Sequence, residues 1–344
     1  MPELPKIRNA VISGVGAYAP PAVVSNDALA AIVDTNDEWI RTRTGIHERR
    51  IAAASEKCSD IAEKAARAAL ENSGVKPEEI DLLIVATITA DTRTPSTACW
   101  IQPRLGLINA AAFDISAACS GFVYALDIAR QYIGAGAAKH VLIVGAEKMS
   151  DIIDWADRGT CVIFGDGAGA AVISAGTEGG SRGILSTAIG SDGAGAMLIR
   201  MEENLEAPGA ALEAAPDGSL RAVAGRADVL KMEGNKVFVS AVRGMSDVAF
   251  KAIKLAGLTL ADIAVVVPHQ ANTRIIDTIL EKMGVPHERA VINIDRFGNT
   301  TAASIPLALD EAARGGRIKD GDYVLLMAFG AGLTWGASVI QWGK

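Results

Sequence analysis

ALENSGVKPEEIDLLIV, residues 69–85, and AIKLAGLTLADIAVVVP, residues 252–268, align without a gap. Ala69 matches Ala252, Gly74 matches Gly257 and Ile80 matches Ile263, a spacing of 183 residues. The same spacing pairs ALDIA (125–129) with ALDEA (308–312) and VLI (141–143) with VLL (324–326). One register kept across three separated segments marks an internal duplication. Each copy reads as helix, Gly-containing turn, buried strand, loop, helix and second buried strand, which predicts alternating α/β structure around a parallel-rich sheet. The two halves are expected over 1–174 and 175–344. The Ala-, Gly- and Pro-rich segment 205–228 has no counterpart and reads as a surface insertion. Equivalent strand ends of two related halves face each other, so a site drawn from both is expected.

Composition bounds the partners. The chain has 344 residues, 50% of them hydrophobic and 21% charged, enough to bury a sizeable core. Its net charge of -7 argues against a general nucleic-acid binder, which needs basic residues to replace phosphate counterions. The four cysteines, Cys58, Cys99, Cys119 and Cys161, form no C-x-x-C pair and have only four histidines for company, so neither a zinc site nor a disulfide framework is suggested. A reducing cytoplasm fits, and the opening MPELPKIRNAVISG lacks the apolar run of an export signal. The uncharged segment 324–343 is long enough to cross a bilayer, yet its two-part apolar pattern around GAGLTWG predicts two buried strands and a glycine-rich turn.

Three residues can carry chemistry. Cys119 follows a short strand and precedes GFVYALDIARQYIGAG, whose apolar residues keep helical spacing. It is either a small buried hydrophobe or a nucleophile whose pKa the helix N-terminus lowers. His269, in VVVPHQANTRIID, stands at the C-terminal edge of a strand, where open α/β sheets place reactive groups, or is a surface-loop histidine. Asn299, in RFGNTTAASIPLALDEAA, precedes a helix and can be its N-cap. Under the 183-residue spacing His269 falls opposite Ala86 and Asn299 opposite Ser116, so all three occupy loops at one edge of the repeat. GVGAYAP (14–20) and GDGAGAAVIS (165–174) lack the strand-turn-helix context of a dinucleotide site, and no phosphate-binding loop motif occurs.

Six ordered motifs, TNDEWIRTRTGIHERRI (35–51), FDISAACSGF (113–122), DRGTCVIFGDGAGAAV (157–172), PHQAN (268–272), RFGNT (296–300) and FGAGLTWG (329–336), resemble the thiolase superfamily and within it β-ketoacyl-acyl-carrier-protein synthase III. The resemblance implies a thiolase-like duplicated five-layered α-β-α-β-α architecture. No cysteine follows Cys161, unlike a degradative thiolase, and Asn299 stands where elongating condensing enzymes have a second histidine. The implied activity is decarboxylating condensation of an acyl-CoA with malonyl-acyl-carrier-protein to initiate fatty acid synthesis; the same chemistry priming a specialised pathway is the alternative. Cys119 is similar to the acyl-accepting nucleophile, with its own backbone N–H and that of Ala331 as oxyanion donors, and His269 and Asn299 to the decarboxylating pair. Trp39 and Arg158 resemble an adenine-sandwiching pair, and Thr35, Arg43 and Asn272 further CoA contacts. Arg274 resembles a carrier-protein docking position, although Val239 stands where some relatives have a lysine. Thr94 resembles an acyl-pocket position contributed across a homodimer, where short-primer relatives carry an aromatic side chain. No metal or redox cofactor, no nucleic acid and no membrane is implied.

Overall fold

The computed structural model describes residues 9–343 except 178–179, 204–210, 215–219 and 224–227. In the first half β1 (Ala10–Tyr18) and β2 (Ala22–Ser25) lead into α1 (Asn26–Ala30), α2 (Asp37–Thr44) and β3 (Glu48–Ile51). There follow α3 (Cys58–Ser73), β4 (Leu82–Ala86), α4 (Thr97–Leu105), β5 (Ala111–Ile115), α5 (Gly121–Gly134), β6 (His140–Glu147) and β7 (Gly167–Ala175). The second half runs β8 (Gly183–Ser191), β9 (Ile199–Glu203), β10 (Ala211–Ala214), β11 (Leu220–Val223), β12 (Asp228–Met232) and α6 (Gly234–Leu255). It ends with β13 (Ile263–Pro268), α7 (Thr273–Met283), α8 (Ile294–Phe297), α9 (Ser304–Arg314), β14 (Tyr323–Gly330) and β15 (Thr334–Gln341).

The two large sheets are ordered β1-β7-β6-β4-β5 and β8-β15-β14-β13, beside the two-stranded pairs β2-β3, β9-β12 and β10-β11. The sequence spacing is printed in their geometry. β6 and β14 begin and end 183 residues apart, as do the short turns Pro77–Glu79 and Leu260–Asp262. Gly74 and Gly257 close their helices at φ 72° and 71°. More telling are Ala118 and Thr301, both at φ 46°, a left-handed conformation that costs an L-residue energy and persists only where surroundings enforce it.

Side-chain alternation explains the layering, because successive strand residues point to opposite faces. Ile84, Val141, Ile143 and Ile173 face inward onto α5 and α9, which also receive Val265, Val267, Val324 and Leu326 of the second sheet. The opposite faces, through Leu83, Val85, Leu142 and Val172, pack on α3 and α4. Those of the second sheet, through Val266, Leu325, Met327 and Val339, pack on α6 and α7. The layers therefore alternate α-β-α-β-α, with both sheets covered on both faces. That double burial accounts for the near-continuous apolar strands.

The parallel-rich expectation needs correction. β4 is parallel to β5 and β6, and β13 to β14, but β6-β7-β1 and β14-β15-β8 are antiparallel. A fully buried antiparallel strand is as apolar as a parallel one, so composition could not separate them. The segment 324–343 does form two buried strands, with Gly330 opposite Thr334 across the turn. No helix among the described residues is long and apolar enough to cross a membrane. Of the insertion expected over 205–228, β10 and β11 pair antiparallel, Ala211 opposite Val223, and Asp228 opens β12. The rest of it lies outside the described residues.

Candidate active site

The central helices begin where the strand ends converge. Ala118–Ser120 makes one tight turn that passes directly into α5. β14 closes on this turn so tightly that a Cβ at Gly330 would lie 2.7 Å from the Cys119 nitrogen, so only glycine fits. Ala331 follows in the hairpin turn. The Thr334 hydroxyl reaches the carbonyls of Ala117 and Ala331 at 3.1 and 3.0 Å, tying the hairpin to the cysteine turn.

Cys119 is part-exposed on the floor of a cavity of about 530 Å³. The apolar enclosure dominates its electrostatics: burial, reinforced by the charge of Glu147, pushes the thiol up to about 12. The expectation of a thiolate lowered by the helix N-terminus is thus corrected, because desolvation of the anion outweighs the helix end. A group raised this far keeps its proton at neutral pH, so the resting side chain is a thiol.

His269 lines the same cavity. Its backbone N–H donates to Met327 at 2.8 Å, and its Nδ1 lies 2.6 Å from the Ser304 hydroxyl. With Nδ1 so engaged, Nε2 is the ring nitrogen left for the cavity. The residue is 2% exposed and burial lowers its pKa to about 3, so the imidazole stays neutral at physiological pH. Because a hydroxyl can donate or accept, Ser304 accommodates either neutral tautomer.

Asn299 is inserted into the first half by a parallel bridge to Phe164: its N–H donates to Ile163 at 2.9 Å and its carbonyl accepts from Gly165 at 3.1 Å. Its Oδ1 accepts the Thr301 N–H at 2.8 Å, which fixes the amide orientation and leaves the NH₂ group as a donor. Asn299 is not a helix N-cap: that position falls to Thr300 before the Thr301–Ala303 turn and to Ala303 before α9, and neither side chain makes a capping bond. Behind this loop, Arg49 is wholly buried and donates to Val162, Val24 and Asn26.

The cavity mouth carries Trp39, Arg43, Arg158, Asn272 and Arg274. Asn272 caps α7 through Arg274 N–H at 2.9 Å and donates to the Arg43 carbonyl at 3.0 Å, joining two walls. Those walls also meet at Gly45, φ 76°, where a Cβ would clash with Thr273. The expected adenine slot is closed: Arg158 lies 4.7 Å from the Trp39 ring centre on its own account and Arg43 4.9 Å. Arg158 is held further by the Asp34 carbonyl at 2.9 Å. Arg274 is exposed at the rim, with Val239 68% exposed nearby on the same lining. Thr35 is not on the lining, and its hydroxyl is enclosed without a partner. Thr94 is exposed and does not line the cavity of its own chain.

The site residues named from sequence thus fall into a converging set, Cys119, His269, Asn299 and Ala331 with the five mouth residues, and two outside it, Thr35 and Thr94. Sequence reasoning missed Ser304 and Thr334. Their only local signal is a hydroxyl next to a helix start or a glycine-rich turn.

Two family models match this chain: 3-oxoacyl-[acyl-carrier-protein (ACP)] synthase III over residues 113–193, and the C-terminal region of the same family over 253–342. A β-ketoacyl-[acyl-carrier-protein] synthase III of Caldanaerobacter subterraneus subsp. tengcongensis is 48% identical over 339 residues, covering 97% of this chain and 98% of the relative. The chain belongs to the 3-oxoacyl-[acyl-carrier-protein] synthase III family. A solved synthase III from Thermus thermophilus superposes with TM-score 0.86 at 49% identity, covering 97% of this chain and 99% of that one. The priming β-ketosynthase of the R1128 polyketide pathway gives 0.88 at 38% identity, covering 99% and 98%. The synthase III family models bracket the site, since the first holds Cys119 and the second His269 and Asn299.

Proposed function

We infer that this enzyme initiates fatty acid synthesis, condensing an acyl-CoA primer with malonyl-acyl-carrier-protein to give 3-oxoacyl-carrier-protein, CoA and CO₂. The observation that carries the chemistry is a thiol, a neutral imidazole and an oriented carboxamide sharing one enclosed cavity. Priming of a specialised pathway is not favoured, since the polyketide relative shares 38% identity against 48% for the synthase III relative.

The residues divide the work. Cys119 Sγ attacks the thioester carbonyl as its proton passes to His269, and backbone N–H groups of Cys119 and Ala331 take the oxyanion. Collapse expels CoA, which leaves with that proton. In the second half, malonyl loses CO₂ and becomes an enolate. Its oxygen receives hydrogen bonds from His269 Nε2 and the Asn299 NH₂ group, two neutral donors that add no competing charge. The carbanion then attacks the acyl-Cys119 carbonyl, and Cys119 leaves as the thiolate, which takes up one proton from solvent through the cavity to regain the resting thiol. This route draws on no metal or redox cofactor.

Trp39, Arg43, Arg158 and Asn272 serve CoA, with Thr35 close behind, and Arg274 serves the acidic carrier. A base enters the Trp39 slot only when Arg158 swings off the ring. We assign the enzyme to the cytoplasm, with 1–174 and 175–344 as its related halves, and to a homodimer. β5 is an outer-edge strand beside Ile108, 78% exposed, and Trp100, 39% exposed, an edge that pairing with a second copy covers. In that dimer Thr94 reaches the partner's acyl pocket, where its small side chain leaves room for a longer primer.

The test is acyl transfer itself. Purified enzyme incubated with acyl-CoA gains an acyl mass on Cys119, and Cys119→Ser does not. Asn299→Ala retains this adduct while losing malonyl decarboxylation. Absence of any adduct on the unaltered enzyme refutes the assignment.

A further inference from the structure

Attack on a thioester needs two N–H groups aimed at one point, and the two assigned above come from segments far apart in the chain. Cys119 offers one from the Ala118–Ser120 turn, and Ala331 the other from the hairpin between β14 and β15. Packing alone does not fix their separation. Gly330 presses the hairpin on the turn, its absent Cβ leaving 2.7 Å to the Cys119 nitrogen, which stops the segments closing further but not parting. The far limb of the hairpin is tied elsewhere, since Asp192 and Leu333 exchange both backbone hydrogen bonds at 2.8 Å. Among the described residues one hydrogen bond joins the hairpin 330–334 to the turn 117–120, and the Thr334 hydroxyl makes it.

That hydroxyl is placed between the two donors. Its oxygen lies 3.1 Å from the Ala117 carbonyl oxygen and 3.0 Å from that of Ala331. One hydroxyl proton shared by two carbonyls draws both segments together. Without it, the negative ends of two carbonyl dipoles converge on one spot with nothing to hold them, and the segments separate. Each carbonyl is close to a donor: Ala331 carries its own N–H, and Ala117 stands two residues before Cys119. The Ala117 carbonyl also accepts the Ser120 N–H at 3.1 Å, closing the turn around Ala118 at φ 46°. Such a strained turn keeps its shape only while its anchors hold. Thr334 does not line the cavity, so its effect passes through these two backbone segments.

We propose that Thr334 is a positioning residue for the oxyanion site, its hydroxyl bridging the hairpin and the cysteine turn so that the Ala331 and Cys119 N–H groups converge. The inference rests on Cys119, His269 and Asn299 being the reacting set. Both carbonyl attacks depend on this convergence, that of Cys119 on acyl-CoA and that of the carbanion on acyl-Cys119. Loss of CO₂ does not, because His269 and Asn299 meet the enolate. An enolate formed beside a poorly held acyl carbonyl takes a proton from water at its α-carbon instead of attacking, and departs as acetyl-carrier-protein while Cys119 stays acylated.

The experiment uses the full chain with Thr334→Val, which keeps the side-chain shape without the hydroxyl, and Thr334→Ser, which keeps the hydroxyl. Cys119 acylation is timed by mass spectrometry and carried to completion. The acylated enzyme then meets malonyl-carrier-protein in a single turnover in which CO₂, 3-oxoacyl-carrier-protein and acetyl-carrier-protein are measured. In Thr334→Val acylation is expected to slow about 10- to 100-fold while CO₂ release stays within about twofold. Acetyl-carrier-protein is expected to rise at the expense of the 3-oxoacyl product, a shift that general loosening of the fold does not give. Thr334→Ser is expected to stay within about twofold of the unaltered enzyme on every measure. Unchanged acylation in Thr334→Val, equal loss of acylation and CO₂ release, full conversion to 3-oxoacyl product, or a Thr334→Ser variant as slow as Thr334→Val overturns the inference. Should Thr334→Val fail to fold, Thr334→Ala beside Thr334→Ser carries the same contrast. If the unaltered enzyme never acylates Cys119, the active-site reading fails instead.

Discussion

Replacing Ser304 by Ala removes one oxygen and tests how His269 is held. The hydroxyl lies 2.6 Å from Nδ1, and both residues are 2% exposed, so bulk water does not readily take its place. The Gln270 N–H, 3.4 Å from the same oxygen, loses a weaker partner. Leaving a buried polar atom unpaired costs about 1–3 kcal/mol. If that cost falls on the transition state, the rate drops about 5- to 150-fold, at about 1.4 kcal/mol per factor of ten. Decarboxylation suffers more than acylation, since only the former needs a proton fixed on Nε2 pointing at a developing enolate. The assay is single-turnover CO₂ release from malonyl-carrier-protein beside the acylation rate of Cys119, with thermal unfolding as a control on integrity. Both rates within twofold of the unaltered enzyme, in a folded variant, would refute the claim that Ser304 sets the imidazole.

Gly330→Ala places a Cβ 2.7 Å from the Cys119 nitrogen, so acylation is expected to fall at least about tenfold through the loss of an oxyanion donor; an unchanged acylation rate shows that the donor lies elsewhere. Because burial pushes the Cys119 thiol up to about 12, its alkylation by iodoacetamide without substrate is expected to climb about tenfold per pH unit from pH 7 to 10. A plateau below pH 8 means the thiolate is already formed. Gly45→Ala combines a left-handed backbone with a clash at Thr273 and is expected to lower stability by about 1–3 kcal/mol in urea titration; an unshifted midpoint contradicts the close packing of α2 on α7.

What the sequence disclosed follows from where its signals are local. The spacing between Gly74 and Gly257, or between His140 and Tyr323, survives because each half folds by the same neighbour-to-neighbour rules. Cys119, His269 and Asn299 were legible as loop residues at equivalent edges. Strand direction was not legible, because Val172 on an antiparallel strand is as buried as Val85 on a parallel one. Neither was the thiol's protonation, since the wall that desolvates Cys119 is assembled from distant segments. Ser304 and Thr334 act across 35 and 217 residues respectively, and Glu147 across 58 to Thr89. No periodicity records such contacts.

The ring of Trp39 already has the Arg158 guanidinium stacked on it, so any planar base that stacks on that face has to displace the arginine first. Apparent affinity is then the intrinsic affinity multiplied by the fraction of molecules in which Arg158 has left the ring. A face guarded in this way holds its ligand less tightly than a bare ring would and releases it more readily.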